Sequence, residues 1–291
     1  MNPLRSARVL AVALLAAAST LAPAAPAAAV PGRVVVSGTT LADLAAKTAE
    51  AVCPAGTLLL GGGGRVTGGN GVAQLNHTGP RADGRAWQAT AYPHEGYRDG
   101  VFVPVTPFAV QAWAVCGTGV TGHTIVRTSY ESLPGQTTGT AKAYCPKGRK
   151  AIGLGGSVHK SRFILDDLVV DAALGMVTVQ WNRAREVVPG DYAGLVGWGD
   201  VWAICVDPVP GQQRAYAASP LDTADKSVVV TCPAGTTVHG IGGALGYADN
   251  GAKFEAMAPW TGSGTAQAAA RPMVYGTTTP WQVSAMAICA A

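Results

Sequence analysis

Charged side chains are scarce in this chain. Lys, Arg, Asp and Glu together make up 13% of its 291 residues, and the formal net charge is +4. Arg5 and Arg8 supply two of those charges, which leaves +2 over the remainder. So even a balance excludes the electrostatic footprint of a nucleic-acid or anionic-membrane binder. Aromatic residues are also few, at 7%, but apolar residues reach 48%. A chain with that much apolar surface and so little net charge is not wholly disordered. Past the N-terminal region no charge-free run of eighteen apolar residues occurs, so no membrane-spanning helix is expected in the mature chain.

Several chemical signatures are missing too. There is no Cys-x2-Cys pair, which argues against zinc and dithiol redox chemistry. The histidines, at 77, 94, 123, 159 and 239, show neither His-x3-His nor His-Glu-x2-His spacing, and no Gly-x-Ser-x-Gly elbow is present. Neither a metal nor any cofactor is expected, and the reading leans to a non-catalytic protein.

What is present begins with an address. Arg5 and Arg8, the apolar run Val9 to Ala18, and the small residues ending Ala27-Ala28-Ala29 form the three parts of a secretory signal peptide. Residues 1–29 are read as that signal, and the mature, secreted chain as starting near Val30. Its six cysteines, at 53, 116, 145, 205, 232 and 289, suit an oxidising extracellular compartment.

Those cysteines punctuate a repeat. The phrase Cys-Pro-x-Gly-x4-Gly-x-Gly-Gly occurs at 53–64, 145–156 and 232–243, about ninety residues apart. Each unit closes on an apolar segment ending in cysteine: "AWAVC" at 112–116, "VWAIC" at 201–205 and "AMAIC" at 285–289. The simplest pairing is therefore Cys53 with Cys116, Cys145 with Cys205, and Cys232 with Cys289. Loops near sixty residues would each gain roughly 4 kcal/mol in a chain-entropy account.

The repeated glycines read as structural. Proline and glycine in Cys-Pro-x-Gly make a turn, and Gly-x-Gly-Gly in a strand marks a bulge or a close backbone approach. A phosphate loop needs Lys followed by Ser or Thr after its last glycine, whereas these phrases continue with Arg65-Val66, Ser157-Val158 and Ala244-Leu245. Between the cysteines, short alternating segments separated by turns predict strands. One stretch, "TLADLAAKTAEAV" at 40–52, reads equally as an alanine-rich helix or as a strand, as its counterparts do.

The predicted organisation is all-β: signal 1–29, then β repeats at 30–120, 121–209 and 210–291. Two architectures fit three such units, a β-prism-like body of three sheets around one core or three tandem small β-sandwich units. Few flexible linkers separate the repeats, and the single body is favoured. The repeat phrase and its closing cysteine segment resemble those of secreted repeat proteins of actinobacteria, over residues 33–291. More loosely, the chain is similar to vitelline membrane outer layer protein I, whose units also open with Cys-Pro-x-Gly and end in cysteine. That resemblance implies a three-sheet β-prism and a carbohydrate-related role.

Candidate binding residues follow from the repeat. Asn76, Asp166 and Glu255 occupy related places after the glycines, and Trp87, Trp181 and Trp260 lie downstream. Indole faces stack on sugar rings while amides and carboxylates accept hydroxyl hydrogen bonds, so an extracellular glycan or envelope polymer is the expected partner. A purely structural or protein-interaction role is the alternative. Glycan hydrolysis would draw on Asp166, Asp167 and Asp171, or on His94, Glu95 and Asp99, against the simpler reading of these groups as loop and strand-end charges.

Overall fold

A computed structural model describes residues 30–93, 96–98, 101–159, 162–184, 196–260, 262, 264–273, 277 and 279–291. The signal-peptide reading of 1–29 lies outside the described residues.

The first repeat forms β1 (Val34–Thr39), β2 (Lys47–Val52), β3 (Leu58–Gly68), β4 (Ala73–Pro80), β5 (Ala86–Pro93), a small hairpin of β6 (Gly96–Arg98) with β7 (Val101–Val103), and β8 (Phe108–Gly117). The second forms β9 (Thr124–Glu131), β10 (Thr138–Tyr144), β11 (Lys150–His159), β12 (Phe163–Val170), β13 (Met176–Arg183) and β14 (Trp198–Val206). The third forms β15 (Gln213–Ala218), β16 (Lys226–Thr231), β17 (Thr237–Gly246), β18 (Ala252–Pro259), β19 (Thr265–Pro272) and β20 (Gln282–Ala290).

These strands build a β-prism-like body of three six-stranded antiparallel sheets. Sheet I runs β1-β8-β3-β18-β19-β16, sheet II runs β2-β5-β4-β11-β14-β9, and sheet III runs β10-β13-β12-β17-β20-β15. Every sheet thus takes three strands from one repeat and three from another. No repeat closes a sandwich of its own, so the tandem-sandwich alternative is overturned. The two halves of each sheet meet at a short seam: Arg65 and Gly64 against Ala256 and Met257, Gly156 and Ser157 against Thr78 and His77, Gly243 and Ala244 against Leu168 and Asp167.

The repeated glycines explain how three repeats fit around one axis. β3, β11 and β17 pack against one another there. A Cβ on Gly61 would lie 2.2 Å from the carbonyl oxygen of His239, one on Gly153 2.2 Å from that of Leu60, and one on Gly240 3.0 Å from that of Ile152. The register of β3, β11 and β17 slips at these same places, between Leu59 and Gly61, Ala151 and Gly153, and Val238 and Gly240. The second glycines lie at the seams, where a Cβ on Gly63 would meet Met257 O at 2.3 Å and one on Gly242 would meet Leu168 O at 2.2 Å.

The disulfides pair as the repeat predicts, Cys53–Cys116, Cys145–Cys205 and Cys232–Cys289. Each joins the end of an outer strand in one sheet to a closing strand in the next, so each couples two faces of the prism. Three such bonds fit an oxidising compartment. The alanine-rich stretch at 40–52 ends in β2, where Ala49 and Ala51 point inward and Glu50 between them stays partly exposed. Strand pairing to β5 outweighs its helical propensity. Among the described residues, no helix is long and apolar enough to cross a membrane.

Candidate functional site

The seam of sheet II carries a cleft of about 520 Å³ on its outer face, within the usual range for ligand sites. Its floor exists because two repeats meet in glycine. A Cβ on Gly155 would lie 2.8 Å from the Cα of Gly79, and one on Gly79 would lie 3.0 Å from the indole of Trp202. Side chains alternate across a strand, so β14 presents Trp198, Asp200 and Trp202 on one face, flanked by Glu131, Ser129 and Arg127 of β9 and by His159, Ser157 and Gly155 of β11.

Asp200 organises the cleft. Its side chain is 2% exposed, whereas Arg127 and His159 beside it are about half exposed, at 54% and 49%. Arg127 donates from Nε and Nη2 to Asp200 Oδ1 at 3.2 and 3.0 Å, and Ser129 Oγ donates to the same oxygen. His159 Nε2 lies 2.8 Å from Oδ2. Burial pushes Asp200 up, but hydrogen bonds from His159, Ser129 and Arg127 outweigh it and hold the carboxyl well below the usual carboxylate range. The Arg127 guanidinium also lies over the Trp202 ring, 5.5 Å from its centroid.

His77 stands edge-on to Trp202, with ring centroids 5.3 Å apart and planes at 79°. Burial, with repulsion from His159, lowers its pKa to about 4 against the attraction of Asp200, so the imidazole is neutral at neutral pH. Its Nε2 is buried with no hydrogen-bond partner. The opposite wall is another paired cluster. Arg81 binds Glu50 and donates to Asp83 at 2.9 and 2.5 Å, and Gln88 Nε2 donates to Glu50 at 3.1 Å.

Ser157 is not set up as the nucleophile of a serine triad. Ser157 Oγ lies 3.4 Å from both His159 Nε2 and Asp200 Oδ2, so serine and carboxylate approach the same imidazole nitrogen. A Ser-His-Asp triad requires them on opposite nitrogens. Asp200 is held ionised and Arg81 lowers Asp83 to about 2, so neither of these two carboxyls is poised as the general acid of glycoside hydrolysis. Among the described residues no group of three or more His, Cys, Asp or Glu is placed to hold a metal.

The residues singled out by the repeat lie elsewhere. Asn76, Asp166 and Glu255 are indeed equivalent: each is the extra residue where the register of its strand slips. That bulge carries them into packed surroundings. Asn76 donates to the Phe163 carbonyl at 3.3 Å, Asp166 is 8% exposed beside Asn182, and Glu255 pairs with Arg271 at 2.7 Å. Trp87 and Trp181 have no exposed surface and so offer no face to a sugar; they are core residues. Trp260 is 40% exposed, on sheet I rather than at the cleft, beside the Arg65 guanidinium at 5.4 Å.

The acidic stretch separates as well. Burial raises Asp166 to about 7 and Asp167 to about 6, while Asp171 accepts the backbone N–H groups of Gly175 and Met176 in a turn. His94, Glu95 and Asp99 lie outside the described residues. Sequence reasoning passed over His77, Arg127, His159, Asp200 and Trp202. His159 follows the repeated glycines, Asp200 and Trp202 precede a closing cysteine, and Arg127 lies on the neighbouring β9, whereas His77 joins them only across the seam between β4 and β11.

No family model matches the chain, and neither does any curated protein.

Proposed function

We propose that the protein is a non-catalytic extracellular glycan-binding protein, and that the cleft of sheet II takes a neutral, hydroxyl-rich ligand. The observation that carries this reading is the internal charge pairing of the cleft. Arg127 and His159 are committed to Asp200, and Arg81 to Asp83 and Glu50. A charged ligand would have to break these pairs, whereas hydroxyl groups find donors and acceptors already oriented at no further ordering cost. The resemblance to a family with a carbohydrate-related role points the same way.

The test is retention of the purified protein on cellulose, chitin and peptidoglycan, beside a uronate polymer. Retention on a neutral polymer that survives raised salt and is lost in Arg127→Met supports the reading. Retention only on the acidic polymer, or retention indifferent to Arg127→Met, overturns it. Absence of retention on all of them, with the fold intact, favours the structural or protein-interaction role instead.

A further inference from the structure

The outer face of β14 continues past the cleft. Three rows of residues cross β9, β14 and β11 in register: Arg127, Trp202 and Gly155; Ser129, Asp200 and Ser157; Glu131, Trp198 and His159. The first two rows form the cleft floor and its carboxylate. The third lies beyond Asp200, four residues from Trp202 along the strand, a span of roughly 13 Å at ordinary strand rise.

The third row is open where the first is covered. Trp198 is 46% exposed, while Trp202 beneath Arg127 is 8% exposed. The two ends are linked through one imidazole: His159 bonds Asp200 at 2.8 Å and its ring lies 5.7 Å from that of Trp198, at 51°. A side chain tied to a buried carboxylate on one side and set against an indole on the other holds that indole relative to the cleft. An exposed indole fixed beside a polar, charge-paired groove is suited to the apolar face of a sugar ring whose neighbours hydrogen-bond in the groove. Glu131 adds a negative charge to this row, which disfavours a polyanion.

Resting on the glycan reading, we infer that the site extends from the cleft along β14 to Trp198, and that its ligand is a linear neutral glycan of several units rather than a single sugar. The experiment is calorimetric titration of the mature protein with neutral oligosaccharides of increasing length, drawn from whichever polymer retains it. Parent affinity is expected to rise with length and then level off. Trp198→Ala is expected to lower affinity for the long oligomers roughly tenfold while leaving that for the shortest binding oligomer unchanged, and Trp198→Phe to retain most of it. Binding that depends on Arg127 but not on oligomer length or on Trp198 overturns the extended site and leaves the cleft standing. Failure of the parent to bind any oligomer removes both readings.

Discussion

Gly153 and Leu60 belong to different repeats, yet a Cβ on the glycine would stand 2.2 Å from the leucine carbonyl oxygen. The obstacle is backbone, which cannot rotate aside as a side chain can. Gly153→Ala is therefore expected to destabilise the protein by at least about 3 kcal/mol or to prevent folding. Gly148, in the turn of the same repeat, has φ of +84° and nothing within 4 Å. Gly148→Ala should cost only about 1–2 kcal/mol, from the backbone conformation alone. Urea unfolding of the two variants beside the parent checks the contrast, and equal losses would mean that the axial approach carries no special weight.

A second test concerns the extra glycine of the first repeat. Gly62 stands where the other repeats have Leu154 and Ile241, and a Cβ there would lie 2.2 Å from the Trp113 carbonyl oxygen and 2.4 Å from the Trp87 ring. Strand register places Val177 and Ala266 at the positions equivalent to Trp87. The small residue and the large one exchange places between neighbouring strands. Gly62→Leu alone should overpack the core, and Trp87→Val alone should leave a cavity, each costing about 3 kcal/mol. The double variant should lose somewhat less than their sum, because removing the indole relieves its contact but leaves the Trp113 carbonyl in place. Additive losses in a double-mutant cycle would sink the exchange.

The disulfides couple sheets rather than strands of one sheet. Replacing Cys145 and Cys205 by serine should lower stability by roughly 4 kcal/mol in oxidising buffer. The difference from the parent should vanish once all three bonds are reduced. Denaturant midpoints under both conditions provide the measurement.

Asp166 makes stability depend on pH in an unusual direction. Its pKa rises from 3.8 to about 7 in the fold, through burial and then the nearby Asp167. Between those values the folded chain binds more protons than the unfolded one, so this group's contribution falls as pH rises from about 4 to about 7. Asp166→Asn should remove that slope and exceed the parent at pH 8 by an amount on the order of a few kcal/mol. The comparison is made as variant minus parent, because His77 and His239, lowered to about 4 and about 3 mainly by burial, act oppositely below pH 6.5. A difference that does not change between pH 4 and 8 would place Asp166 in a more solvated setting.

The all-β class, the three repeats and the disulfide partners were legible in the chain because they are written locally. A turn needs Pro and Gly at set spacings, a strand needs alternation, and a repeated cysteine identifies its mate by its place in the unit. The structural role of Gly61, Gly153 and Gly240 was legible for the same reason. The alanine-rich stretch at 40–52 was not, since Ala49 and Ala51 suit a helix face and a buried strand face equally well until β5 lies beside them.

The cleft was decided by tertiary structure alone. His77 and Asp200 are 123 positions apart, in different repeats, and nothing in either neighbourhood names the other. They share a face because each sheet is assembled from two half-repeats, an arrangement set by packing around the axis. At Asn76, Asp166 and Glu255 the equivalence in the text is real, and a bulge turns the equivalent positions toward packed surroundings. Sequence spacing determines which strands and turns form. Which side chains converge on a ligand depends on register across a seam, where hydrogen bonding between distant segments and the volume of a missing Cβ set the geometry.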